Sequence, residues 1–107
     1  MAKILRGPRD KYVLALKKAL DAYEERFPGS EAALYRQNPG SIRVRVVDDR
    51  FRAKNRAERH DVVWDYLLNA VGDDVMAEVA TLNSFPRSEL RDSLANQEFE
   101  HPSPSRI

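Results

Sequence analysis

The sequence predicts an α+β domain with the element order αββαβα, built as a three-stranded mixed sheet with helices packed on one face. Three observations predict it. Apolar residues step by three and four over residues 10–27 and again over 55–71, the period of a helix with one buried side. Residues 42–48 alternate, with Ile42, Val44 and Val46 on one side and Arg43 and Arg45 on the other, the period of a half-buried strand. Between these blocks stand Pro28-Gly29 and Asn38-Pro39-Gly40-Ser41, both strong chain-reversal signals.

Each element has its own warrant. The first helix carries Val13, Leu16, Leu20, Tyr23 and Phe27 on one stripe, with Asp10 placed to cap it. Proline cannot continue the helical ladder, so Pro28 ends it. Residues 32–37, followed by the second turn signal, predict the first strand of a hairpin whose second strand is 42–48. Asn55-Arg56-Ala57-Glu58 reads as a capping box. The helix it opens has Ala57, His60, Trp64, Leu67 and Val71 as its stripe, widened by Val63 and Leu68, and closes at Gly72. Residues 75–82 read as a third strand, apolar on both sides apart from Glu78 and hence more buried than 42–48. A right-handed crossover would lay it parallel to the second strand. Pro86 suits the first turn of a final helix over 86–95. Residues 1–9 and 98–107 read as loose tails around one domain over 10–97.

Composition narrows the chemistry. The chain has 107 residues and no cysteine, which excludes disulfides, thiolate metal sites and a cysteine nucleophile. Ile4-Leu5 is too short an apolar run for a secretory signal, and no stretch approaches a membrane span, so a cytoplasmic location without membrane attachment is expected. The net charge is +1, but residues 43–60 hold seven basic side chains against three acidic ones. Two readings of that run are open: a basic binding face, or charges complementary to neighbouring elements.

Val46-Val47-Asp48-Asp49-Arg50-Phe51, then Arg59-His60, then Val63 and Leu67, resembles the BolA-like family, whose pattern is a strand ending in V-x-D-x-F and a helix bearing R-H. Thr81-Leu82-Asn83-Ser84-Phe85 and Ser88-Glu89-Leu90 continue the similarity. The resemblance implies a class II KH-like fold and a non-catalytic adaptor or regulator with a protein partner, in many relatives a monothiol glutaredoxin. Some relatives bridge a [2Fe–2S] cluster with a histidine of the last strand and a histidine or cysteine of the hairpin loop. Glu78 stands at the strand position here, and residues 37–41 supply neither ligand. A carboxylate is a poor substitute in iron–sulfur chemistry. No cofactor, metal site or catalytic residue is therefore expected.

Four residues form the expected partner-binding set: Arg59, His60, Tyr66 and Glu78. His60 lies on the apolar stripe, where a buried, hydrogen-bonded structural histidine is the alternative to a functional one. Tyr66, off that stripe, would suit an interface if exposed. Glu78 could carry a raised pKa or simply pair with an arginine. Asp48-Asp49 could hold a cation, or could end a strand and hydrogen-bond its own backbone. The second functional expectation is nucleic-acid binding through Arg43, Arg45, Arg50, Arg52, Lys54 and Arg56, set around a helix start whose free N–H groups also favour anions.

Overall fold

The computed structural model describes residues 1–102. Its centre is a four-stranded mixed sheet in the order β1-β2-β3-β4. The strands are β1 (Lys3–Ile4), β2 (Glu31–Asn38), β3 (Ser41–Val47) and β4 (Val79–Phe85). β2 and β3 form the antiparallel hairpin, with Leu34 opposite Val44 and Tyr35 opposite Arg43. β4 lies parallel to β3, pairing Leu82 with Val44 and Ser84 with Val46. Gly40 makes the hairpin turn at φ +71°, a conformation in which a side chain would be strained.

One face of the sheet holds the main core. Helices α1 (Lys11–Arg26) and α2 (Arg56–Val71) pack there, with the short α3 (Asp73–Met76) beside them. The Asp10 carboxylate caps α1, accepting from the N–H groups of Tyr12 and Val13 at 3.0 and 3.1 Å. The helix then buries Val13, Leu16, Ala19, Leu20 and Tyr23 against Leu34, Val44 and Val46. In α2 the capping box is complete: Glu58 N–H donates to Asn55, and Asn55 N–H donates to Glu58. Between β3 and α2 a 3-10 turn, Asp49–Ala53, tucks Phe51 into the core.

The opposite face is covered by α4 (Leu94–Glu100). Here Ala33, Tyr35 and Phe99 form a separate buried cluster, and the Tyr35 hydroxyl donates to the Phe99 carbonyl. The N-terminal arm joins this layer. Arg6 stacks on Tyr35 at 4.4 Å and donates through Nη2 to the Glu100 carbonyl at 2.8 Å. At Gly7 the arm runs so close to β2 that a Cβ would stand 2.7 Å from the Arg36 carbonyl oxygen.

Several expectations need correction. The sheet has a fourth strand, because residues 3–4 of the expected tail pair parallel with Ala33 and Leu34. So short an element carries no periodicity to read. Helices cover both faces, since α4 crosses to the second one. The strand expected over 75–82 begins at Val79; Asp73 to Met76 instead form a helical turn, with Met76 in the main core. Alternation alone could not separate these two states in so short an apolar run. The final helix expected over 86–95 is divided into a 3-10 turn, Arg87–Glu89, and α4, which Ser93 caps by accepting from the Asn96 N–H. Residues 98–100 accordingly belong to α4 rather than to a tail, and Phe99 is buried. Of the rest of that expected tail, His101 caps α4 and residues 103–107 lie outside the described residues.

Candidate functional site

The basic run is dispersed by the fold. Strand alternation turns Arg43 and Arg45 to the second face, where α4 meets them with acids. Arg43 pairs with Glu98 at 3.4 Å, and Arg45 reaches Glu100 at 2.6 Å and the Asn96 side chain at 2.8 Å. Arg50 folds back on Asp48 and lies 3.7 Å over the Phe27 ring. Arg52 stands 3.7 Å from Asp49. Complementary charge between neighbouring elements therefore accounts for most of the run. Lys54 and Arg56, at the start of α2, have no ion pair among the described residues.

Asp48 and Asp49 serve local structure. Asp48 caps the 3-10 turn through the Arg50 N–H and accepts from the Tyr23 hydroxyl at 3.1 Å. Burial raises its pKa, but hydrogen bonds from Arg50 more than offset this and hold the carboxyl below its usual range. Burial and the neighbouring Asp48 carboxylate push the Tyr23 hydroxyl up. Asp49 accepts from the Arg87 N–H, which lowers its pKa.

The expected partner-binding residues do not converge as a set. Glu78 immediately precedes β4, and its carboxylate accepts from Arg36 at 3.0 Å, while Arg36 also pairs with Asp10. That network ties the cap of α1 to the strands, at the opposite end of β4 from α2's first turn. Tyr66 is half-buried and packs edge-on against Tyr23, with centroids 5.2 Å apart. Arg59 is buried, at 8% exposure. It donates from Nε to the carbonyls of Phe51 and Lys54 and from both terminal nitrogens to Glu89. This clamp locks the connection before α2 to the turn after β4, and its hydrogen bonds lower the pKa of Glu89.

His60 departs from its expected burial. It is exposed and stacks on Trp64, with centroids 5.5 Å apart. The buried line of α2 runs through Arg59, Val63 and Leu67, so that of the expected stripe Leu67 and the flanking Val63 are buried while Arg59 takes the place of His60 at its head. Arginine at the head of that line hides it from a hydropathy reading.

What the fold does bring together is a cleft of about 210 Å3 between the first turns of α2, the outer half of β4 and the start of α4. Arg56, Arg59 and His60 form one wall, Leu82 to Phe85 the floor, and Ala95 the far side. β4 is an edge strand. The Asp48 N–H donates to the Phe85 carbonyl, so Phe85 faces β3. Backbone alternation then turns the polar groups of Leu82 and Ser84 away from β3. The Ser84 hydroxyl is buried without a hydrogen-bond partner. It makes no hydrogen bond to His60, so the pair is not arranged as a nucleophile and its base. A contact surface joining the helix of Arg59 and His60 to the last strand was expected, but Leu82 to Phe85 were not singled out, because that strand was expected to be more buried than 42–48, whereas it lies at the sheet edge.

The cleft is smaller than the roughly 300–1,000 Å3 of ordinary small-molecule sites. It has room for a side chain. Among the described residues no group of three or more His, Asp or Glu could hold a metal ion, and no helix is long and apolar enough to cross a membrane. Comparison with protein-family models, curated proteins and solved structures finds no match.

Proposed function

We propose that this chain is a non-catalytic, BolA-like protein-binding adaptor or regulator that docks its partner at the cleft between α2 and β4. The observation that carries the reading is the cleft itself: exposed Arg56 and His60 beside an edge strand with outward backbone groups. Edge strands and small rimmed pockets are recurrent places for a partner's main chain and anchoring side chain. The β2–β3 hairpin, the parallel β4 and the R-H helix support the BolA-like assignment. A glutaredoxin-type partner fits that assignment, without a shared cluster, because Glu78 is engaged by Arg36 and residues 37–41 hold no soft ligand.

Nucleic-acid binding is the weaker reading. Arg43, Arg45, Arg50 and Arg52 are committed to acids on different parts of the surface, leaving Lys54 and Arg56 as its nearest phosphate contacts. A photo-crosslinking residue at Asn83, compared with one at Ala70, separates the readings. A protein captured from Asn83 alone supports docking at the cleft. Equal capture from both positions, or tight salt-sensitive oligonucleotide binding with no captured protein, removes it.

A further inference from the structure

We infer that the α2–β4 cleft selects an acidic residue next to an apolar one, presented by an extended segment of the protein partner; this rests on the docking site proposed above. The charge of the wall carries the inference. Arg56, Arg59 and His60 line the cleft, and no acidic side chain does. Arg59 is already neutralised by its two bonds to Glu89. Arg56 makes no ion pair among the described residues, although its charge reaches Glu89, which Arg59 already holds; it stands exposed in the first turn of α2, where the helix dipole adds positive potential. The nearby carboxylates are turned to other work. Glu58 accepts from the Asn55 N–H to close the capping box, and Asp61 lies 3.7 Å from His60 on the solvent side, both groups being exposed.

The floor sets the second requirement. Leu82, Phe85 and Ala95 supply the apolar lining, Leu82 from the core face of β4 and Phe85, three residues on, from the other. An aliphatic side chain fits this volume. The outward backbone groups of Leu82 and Ser84 are placed to meet an extended main chain, in which acidic and apolar side chains would alternate.

The test uses the whole chain and two fluorescent octapeptides, one alternating valine with glutamate and the other valine with lysine, read by anisotropy at low and moderate salt. The glutamate peptide is expected to bind and the lysine peptide not to. Arg56→Glu should weaken the glutamate peptide about five- to tenfold and admit the lysine peptide. Amide shifts on binding should centre on His60, Leu82 and Ser84, and since Arg56 is exposed the variant should melt like the parent. Equal binding of both peptides, no binding of either, an Arg56→Glu variant with unchanged preference, or displacement by an equimolar thymidine octanucleotide would overturn the inference. So would concentration-dependent dimerisation that blocks the peptide. A protein crosslinked from Asn83 in the absence of glutamate-peptide binding would leave the docking site standing and remove only its acidic selectivity.

Discussion

The two faces of the sheet are made from the same strands, residue by residue in alternation, yet they are held by different forces. Ala32, Leu34, Val44 and Val46 point into the main core, while Ala33, Tyr35, Arg43 and Arg45 point to the other side. The first face packs against two helices of 16 residues each. The second is closed by one helix of seven, anchored by Phe99 and by arginine–carboxylate pairs whose acids remain about half exposed. Returning buried apolar surface to water is unfavourable by about 25 cal/mol per Å2, whereas half-exposed ion pairs are nearly matched by water. One face should therefore set the stability of the fold, and the other should be a layer that opens on its own.

The sharpest way to break this comparison is to cut into each face. Leu20→Ala, at a fully buried position, should cost about 2–5 kcal/mol in urea denaturation, read as one cooperative loss. Phe99→Ala removes a ring that is 1% exposed, but the loss is bounded by the docking energy of a short helix. About 1–3 kcal/mol is expected, with amide exchange accelerated in α4 and little changed in α1 and β3. If Phe99→Ala instead loosens every element together, the two faces are one cooperative unit.

Asp48→Asn addresses the join between β3 and the 3-10 turn. Its carboxylate accepts from Tyr23 and Arg50, so about 1–2 kcal/mol should be lost. Acid tests the same bond without mutation. The pKa values of Asp10, Asp48 and Glu89 are lowered in the folded chain, from ordinary values of 3.8, 3.8 and 4.5. The folded state thus binds fewer protons than the unfolded one, and these groups contribute stability at neutral pH that disappears as pH falls below those values. Thermal melts from pH 6 downward should show the decline in the parent, and a smaller one in Asp48→Asn. The smallest effect belongs to the second face: Glu98→Gln should change stability by less than about 0.5 kcal/mol, and salt should erase the difference.

Much of the fold was legible where one physical rule dominates. The cap at Asp10, the box at Asn55 and Glu58, the hairpin turn and the parallel placement of the last strand all follow from local chemistry or chain handedness. The two-residue β1 was not legible, because its pairing depends on a close approach at Gly7 that only the folded β2 defines. Nor was the second layer. Phe99 lies in a polar, glutamate-rich stretch, and its burial rests on a pocket made by Tyr35, far away in sequence. The candidate site was half legible. Arg59 and His60 were expected together at a partner surface and do line one cleft, whereas Arg56 was expected in the basic run instead, and Glu78 and Tyr66, drawn to the set by pattern, are separated from it by geometry. The floor at Leu82 and Ser84 emerges only once β4 is known to lie at an edge.

The bond from Arg6 to the Glu100 carbonyl acts as a clasp. It brings the N-terminal arm and the last helix to one spot on the second face, and Met1 and Arg45 line a common hollow nearby. Undoing the clasp with Arg6→Ala should quicken amide exchange in the arm and in α4 together, because each segment has lost the same fastening.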